Sequence, residues 1–405
     1  MEAIAGATKS FFSSANDMLQ SALSGSGSAS SSPHTQSLTK DIVVKEILIH
    51  PIKSCRGTSV QEAQYDPAGL QYDRTWLIID ANTRKFYTAR ELPKMVLIHP
   101  KIDREARILH IQIPQSETGV AACTVDVALD PTDVDLQQCE LVEEITIWGQ
   151  TVNGYAVSSE ADEKLSAYFG KPVRLVRKGP SPRPSGDTEP AGPKEWDEAT
   201  VRYQDFYPCL VASAESLRHV QRTLTASVYP SLQNTASEAE TQGVQAYKVP
   251  KSVNREYWTP EELSALPITR FRPNILVDSP DDAQVKLEAW EEDGWVSAEL
   301  FDSSAASASA PPFGRDAEGK GRAGIYMLER CARCMVPNID PDTGVRDNFL
   351  PYRVLQEYRQ ADRLAREKGK PCFGMLSVPR EKHGCIKVGD LFRVTKTTDP
   401  SQRER

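Results

Sequence analysis

Alternation of apolar and polar residues is the dominant pattern in the chain from residue 41 onward. Short alternating stretches rich in β-branched residues favour strands, because successive side chains of a strand point to opposite faces. The pattern predicts strands at residues 43–49, 76–79, 108–113, 144–148, 173–176 and 270–277. A stretch at 385–394 that alternates around Gly389 and Asp390 predicts a closing hairpin.

Beyond residue 41, three stretches of the chain predict helices. Ser159 is the predicted start of one helix, with Asp162 at the position of a capping box. The expected buried face of that helix consists of Ala161, Leu165, Tyr168 and Phe169. Further helices are predicted at 213–224 and 351–366, and loops at 179–193, 230–249 and 303–312.

Many short strands with few helices predict a mainly β fold with some helices (α+β), built on barrel-like sheets. The loops divide the chain into segments. We expect a tail at 1–40, a smaller β-rich N-terminal domain at 41–177, a proline-rich loop at 178–200, a second β-barrel domain at 201–396 and a tail at 397–405.

Composition excludes several classes of protein. The 405 residues are 39% hydrophobic, which is enough to build a core and excludes a wholly disordered chain. No apolar run approaches the roughly 18–20 residues that span a bilayer. The net charge of −8 argues against nucleic acid as a partner, because phosphate backbones are bound by basic surfaces.

The first forty residues differ from the rest of the chain. Apolar residues at helical spacing run from Ile4 to Leu23, and a stretch of Ser, Gly and Ala follows at 24–32. Two interpretations stay open: a disordered tail, or a membrane-surface or mitochondrial address. Because Lys9 is the only basic residue before the linker, we expect weak or no membrane attachment through this segment.

The sharpest local motif is the pair Cys331 and Cys334, separated by Ala332 and Arg333. We expect a reducing compartment, in which such a pair is more often a ligand or redox site than a disulfide. Thiolates bind soft transition metals, and a neighbouring cation favours the thiolate. A four-thiolate zinc site and a plain pair of buried thiols are the alternatives. The zinc site would add Cys372 and Cys385 to Cys331 and Cys334 as ligands, with His383 as a substitute for one of them.

Basic residues recur at the ends of predicted strands, next to Ser or Asn. They are Lys53 with Ser54, Arg74, Arg90, and Arg272 with Asn274. Together they suit an anionic ligand that carries a phosphate, although each one alone also fits a surface salt bridge. No phosphate-binding glycine loop or dinucleotide fingerprint accompanies them.

Six motifs in order resemble the MOSC proteins, and among these the amidoxime-reducing type. They are PIKSC at 51–55, YDRTW at 72–76, TARELP at 88–93, RFRPN at 270–274, CARC with DPDTG at 331–344, and FG with GCIKVGD at 373–390. The resemblance implies an N-terminal MOSC-associated β-barrel domain, followed by a MOSC domain that binds molybdenum cofactor (Mo-molybdopterin).

The resemblance also implies roles for single residues. Cys334 corresponds to the cysteine that ligates molybdenum, and it is the expected catalytic centre. The expected cofactor contacts are Lys53, Ser54, Arg74, Arg272, Asn274, Ala332 and Arg333. In the segment at 205–208 Tyr207 stands where the family usually has hydroxyl residues near the cofactor phosphate, so we include it as a candidate contact.

The activity implied by the resemblance is reduction of small N-hydroxylated substrates to amidines or amines. The chain has no haem, flavin or iron–sulfur signature, so electrons would have to come from another protein. The resemblance implies a cytochrome b5 and cytochrome b5 reductase as the donors. Alternatives are a non-enzymatic cofactor carrier or sulfur-handling accessory protein, and a structural zinc-binding module. The location stays open between the cytoplasm and the cytosolic face of the mitochondrial outer membrane.

Deletion of residues 1–38 is expected to leave folding and activity intact, because the strand pattern begins near Asp41. Thermal unfolding and turnover of the truncated chain measure this. Residues 1–40 fused to a fluorescent protein test the address, and a diffuse cytosolic signal would reject it.

Overall fold

The fold is mainly β with some helices, as predicted. We describe it from a computed structural model that covers residues 40–186, 199–235, 243–302, 323–360 and 369–400. The predicted features of the N-terminal tail and the loop at 303–312 lie outside these residues. Parts of the expected loops at 179–193 and 230–249, and the end of the helix expected at 351–366, also lie outside them.

Eighteen strands are present in the described ranges. The first eleven are β1 (Val43–Ile49), β2 (Thr58–Val60), β3 (Glu62–Asp66), β4 (Gly69–Leu70), β5 (Trp76–Asp80), β6 (His99–Asp103), β7 (Ile108–Ile113), β8 (Cys123–Ala128), β9 (Glu140–Ile147), β10 (Gln150–Ala156) and β11 (Val173–Lys178). The others are β12 (Cys209–Ser213), β13 (Ile275–Asp278), β14 (Trp295–Phe301), β15 (Gly324–Ala332), β16 (Cys372–Pro379), β17 (Gly384–Lys387) and β18 (Leu391–Thr397).

The described ranges contain five α-helices, of which three have seven residues or fewer. They are α1 (Asp133–Gln137), α2 (Ser159–Phe169), α3 (Ala214–Val228), α4 (Pro260–Ser264) and α5 (Tyr352–Tyr358). Single 3₁₀ turns lie at Pro93–Leu97, Pro230–Thr235, Ile268–Arg270, Glu291–Gly294 and Val336–Asn338. None of these helices has the length and apolar character needed to cross a bilayer.

The largest sheet closes into a seven-stranded barrel. Its strand order is β13-β12-β16-β15-β14-β18-β1, and β1 pairs back onto β13 to complete the ring. Only the β12–β13 pair is parallel, and α3 makes the crossover between these two strands. The N-terminal strand β1 therefore lies between strands from the far end of the chain. The predicted domain limits stay a prediction.

Alternation along the barrel strands separates two cores. Ile47, Ile49 and Val211 point to one face and are fully buried in the main core. The intervening Leu48 and Ala212 point to the other face, where they pack against apolar residues of α3 and the loops around it. Both faces of these strands are buried, which explains their long apolar runs.

Three smaller sheets are built mostly from the N-terminal half. Their orders are β5-β11-β10-β9, β6-β7-β8 and β17-β3-β4. The last corrects the hairpin predicted at 385–394: β17 pairs with β3, whereas β18 pairs with β14 and β1. The turn at Gly389 therefore sends the two strands into different sheets, because each finds an unpaired edge from another part of the chain.

Two other predictions need adjustment. The strand expected at 270–277 begins only at Ile275, because a 3₁₀ turn ends at Arg270 and Arg272 has a left-handed φ of 57°. Helix α2 is capped by Ser158, whose side chain accepts from Ala161 N. Asp162, expected in a capping box, accepts instead from the backbone N of Leu175 in β11.

Candidate functional site

A cavity of about 370 Å³ opens where strands from both halves of the chain end. All nine sequence-predicted site residues line it. They are Lys53, Ser54, Arg74, Tyr207, Arg272, Asn274, Ala332, Arg333 and Cys334. These residues come from five segments, which the closure of the barrel and the packing of the smaller sheets bring together.

Asn274 is the structural centre of the cavity floor. Its side chain is 2% exposed, and its Nδ2 donates to Leu48 O at 3.2 Å. Its Oδ1 accepts from Leu210 N at 3.1 Å and from Arg74 Nη1 at 3.2 Å. Since both polar atoms are already engaged by protein groups, Asn274 fixes the positions of β1, β12 and Arg74.

Arg74 is held in a network of short contacts. Its Nη1 donates to both carboxylate oxygens of Asp73, at 2.7 and 2.6 Å, and its Nη2 donates to Arg272 O at 3.2 Å. Burial acts to raise the pKa of Asp73, but Arg74 and His50 outweigh it and lower this pKa to about 2. Asp73 is therefore an anion at neutral pH and orients the guanidinium.

Arg272 presents a buried cation with spare hydrogen-bonding capacity. Its Nη1 donates to Cys55 O at 2.6 Å, whereas the buried Nη2 has no partner among the described residues. Burial, together with the nearby Arg74, lowers the pKa of Arg272 to about 10. An orphaned guanidinium N–H in a basic cavity is a group that an anionic ligand would satisfy.

Lys53 and Ser54 lie in the sharp turn that follows β1. Ser54 has a left-handed φ of 69° within this turn. Lys53 Nζ donates to Tyr203 O at 2.7 Å and also to the carboxylate of Asp205. Burial lowers the pKa of Lys53, and Asp205 opposes that shift. This ion pair ties the turn after β1 to the segment before β12.

The two cysteines of the pair have different environments. Arg333 Nη1 donates to Cys331 Sγ at 2.9 Å, and Arg333 Nη2 donates to Phe271 O at 2.7 Å. Burial raises the pKa of Cys331, against the effect of Arg333. Cys334 is partly exposed in the cavity wall, and no hydrogen bond from the described residues reaches its sulfur. Both cysteines are partly exposed and line the cavity, and they differ in that only the sulfur of Cys331 accepts a hydrogen bond from the described residues.

Tyr207 lines the cavity with its neighbours Asp205 and Phe206. Burial, and then the charge of Glu329, raise the pKa of Tyr207, so its hydroxyl stays protonated and can donate at neutral pH. Arg183 secures the same segment: its Nη2 donates to Asp205 O at 2.7 Å.

Sequence reasoning missed several residues of the cavity wall, among them Trp148, Gln204, Glu329, Arg330 and Lys370. Trp148 ends the strand predicted at 144–148 but lies in the turn after β9, where its φ is 49°. Trp148 and Gly149 separate two stretches in which apolar and polar residues alternate, and this pattern could have predicted the turn. Arg330 precedes the cysteine pair by one residue and carried no signal of its own.

The charge of the lining contrasts with that of the whole chain. Seven Lys or Arg residues and two acidic residues face the cavity, whereas the chain has a net charge of −8. Such a concentration of cations in a partly buried cleft favours an anionic ligand.

The zinc alternative gains no support within the described ranges. There, no three side chains of His, Cys, Asp or Glu are grouped so that they could hold a metal ion. Cys372 lies in β16 and Cys385 lies in β17, in separate sheets. Among the described residues, the cavity therefore combines the Cys331 and Cys334 thiols with a basic lining, and four thiolates are not brought together.

Comparison with known proteins agrees with this architecture. The profile of the MOSC N-terminal beta barrel domain matches residues 41–172, and that of the MOSC domain matches residues 198–393. The chain belongs to the MOSC family.

Its relatives include mitochondrial amidoxime-reducing component 1 of Homo sapiens, 27% identical over 86% of this chain and 81% of the relative. The protein of the same name from Xenopus laevis is 26% identical over 87% of this chain and 82% of its own. The molybdenum cofactor sulfurase of Danio rerio is 25% identical over 87% of this chain, but over only 34% of its own length.

Replacement of Asn274 by Ala is expected to lower the free energy of unfolding by at least about 2 kcal/mol, because it leaves Leu210 N and Leu48 O buried without this partner. Denaturant titration measures the change. Arg90→Ala, which changes an exposed residue of the same cavity, should cost less than about 1 kcal/mol. Equal stability of the two variants would show that Asn274 has no structural role.

Proposed function

We propose that this protein is an oxidoreductase that binds molybdenum cofactor in the cavity and reduces N-hydroxylated substrates, such as amidoximes, to amidines. One observation carries the proposal. A partly exposed thiol without a hydrogen bond from the described residues, that of Cys334, shares a pocket with the buried and incompletely bonded guanidinium of Arg272. The first group suits a soft metal and the second suits a phosphate.

The residues present fit such a cofactor by their chemistry. Cys334 would supply the thiolate ligand to molybdenum. Arg272 and Arg74 would hold the phosphate, since Arg272 has an unused N–H and Arg74 is oriented by Asp73. Ala332 and Arg333 would line the cofactor beside its ligand, with Arg333 already fixed by Cys331 and by the carbonyl of Phe271.

When bound, the cofactor would supply the two-electron chemistry that removes the oxygen of an N–OH group as water. The chain would supply position and charge. Asp73 and Asn274 keep Arg74 in place, so little reorganisation is needed when an anion enters. Tyr207, protonated at neutral pH, would offer a donor to the cofactor or to the substrate.

The reaction consumes two electrons and two protons for each N–OH group, so the protein needs a reductant. We include a cytochrome b5 and its cytochrome b5 reductase in the proposal as the electron donors. The names of the human and Xenopus laevis relatives support amidoxime reduction as the activity.

A second candidate function is a cofactor carrier or sulfur-handling accessory protein. The relative named molybdenum cofactor sulfurase favours it, because the similarity covers most of this chain. Turnover separates the two candidates: a reductase loaded with cofactor reduces benzamidoxime when electrons are supplied, whereas a carrier does not.

Cys334→Ala is expected to abolish reduction of benzamidoxime, and Cys331→Ala to lower it by no more than about ten-fold. Cys334 would bind the metal directly, whereas Cys331 acts through its hydrogen bond with Arg333, worth about 1–1.5 kcal/mol. Turnover and the molybdenum content of protein from a cofactor-competent host measure the difference. Equal loss in both variants, or stoichiometric zinc without molybdenum, would contradict the proposal.

Arg272→Ala is expected to weaken retention of the cofactor about 10- to 100-fold, since charge-assisted hydrogen bonds contribute about 1.5–3 kcal/mol. Arg272→Lys should restore it only in part, because an ammonium cannot reproduce the planar guanidinium. Arg84→Ala is the matched control, because Arg84 also has a left-handed φ but is exposed and absent from the cavity lining. Full cofactor content in the Arg272→Ala protein would place the phosphate elsewhere.

A further inference from the structure

Trp148 occupies a position that the local turn does not explain. It is the first residue of a two-residue turn between β9 and β10, in which Ile147 pairs with Gln150. Trp148 has a φ of 49° and Gly149 a φ of 82°. Turns of this type favour Asn or Gly at the first position, because a large side chain is disfavoured in the left-handed region. A tryptophan here suggests a role for the side chain.

The indole ring is oriented although it is 38% exposed. Its Nε1 donates to Asp205 Oδ1 at 3.0 Å. Phe86 packs against it edge-on, with centroids 5.3 Å apart, and Phe206 lies roughly parallel to it at 6.3 Å. Trp148 thus forms a fixed aromatic wall of the cavity that Cys334 also lines.

The guanidinium of Arg90 lies over this ring, with Cζ 4.8 Å from the centroid. Arg90 is exposed, and within the described ranges its guanidinium has no hydrogen bond or ion pair. A cation–π contact at an exposed site is weak, so another planar cation could displace Arg90 at little cost.

We propose that the ring of Trp148 binds the planar N–C–N group of an amidine product and of its N-hydroxylated precursor, and that Arg90 occupies this site when they are absent. An amidinium has the delocalised planar charge of a guanidinium and can replace it over the ring. The carboxylate of Asp205, which is bonded to the indole and paired with Lys53, holds the ring in this orientation. The identification of the ligand as an amidine or amidoxime rests on the proposed function. In this proposal Trp148 is a residue that determines substrate specificity.

The reaction changes the charge of the ligand group that contacts the ring of Trp148. R–C(NH₂)=NOH takes up two electrons and two protons, the N–O bond breaks, and R–C(NH₂)=NH and water form. The amidine then takes a further proton from water and becomes a cation, whereas the amidoxime is neutral. Because an aromatic face attracts cations, the wall should bind product more tightly than substrate.

A double-mutant cycle on the cofactor-loaded full chain tests the proposal, with benzamidinium as the probe and ligand-observed NMR to give its dissociation constant. Arg90→Ala should tighten binding about three- to ten-fold, because it uncovers the ring. Trp148→Leu should weaken binding by a similar factor. In the Trp148→Leu background, Arg90→Ala should produce no tightening.

Two results would overturn the inference. If Arg90→Ala tightens binding equally with and without Trp148, Arg90 acts only by repelling cations. If neither change alters binding, the wall does not contact the ligand. Reduction of benzamidoxime by the same preparations keeps the two proposals apart: its absence contradicts the proposed function, whereas normal reduction without coupling in the cycle contradicts this inference alone. Arg84→Ala serves as the surface control.

Discussion

The pairing of β1 with β13 determines where every part of the cavity lies. Ile47 pairs with Ile275, and Leu48 N donates to Asn274 O at 2.8 Å. This register places the turn after β1, which carries Lys53, beside the turn before β13, which carries Arg272. A slip by one residue would reverse the faces of β1 and separate these turns, so the buried apolar pattern of the barrel also fixes the geometry of the site.

Closure of the barrel concentrates cations that would repel one another. The structure moderates this repulsion with internal anions, as Asp73 does for Arg74 and Asp205 does for Lys53. Among the residues that the structure describes, no carboxylate accepts a hydrogen bond from Arg272. A ligand that neutralised it would remove a penalty of the folded state, and its binding would stabilise the fold by an amount that rises with the logarithm of the ligand concentration above the dissociation constant.

Much of the fold could be predicted from local pattern. The strand at Ile108–Ile113 agrees with its prediction to the residue, and the buried face of α2 is the one expected, because one-sided burial leaves a periodic trace in the sequence. The sequence carries no comparable signal for which strands pair with one another. The separation of β17 from β18 depends on edges offered by distant strands, which a local alternating pattern cannot specify.

The sequence predicted which candidate residues would lie together, but it did not distinguish their contacts. Resemblance selected all nine residues, and the structure brings them to one cavity. Only the coordinates distinguish Asn274, whose polar atoms are used within the protein, from Arg272, which keeps one N–H unused. Trp148 was not predicted as a site residue, because an apolar residue at the end of a strand normally belongs to the core. Its exposure depends on the tertiary structure, which the local sequence pattern does not specify.

The position of β18 also affects the order of events during synthesis. Val43 in β1 pairs with Leu391 in β18, so the first strand of the barrel meets one of its neighbours only when almost the whole chain has left the ribosome. The end of β1 at Ile47–Ile49 can pair at once with β2, but at about 5–20 residues per second the part near Val43 waits for β18 for tens of seconds. The sequence of β1, VVKEILI, carries Lys45 and Glu46 amid apolar residues. Charges at such positions discourage pairing with other nascent chains.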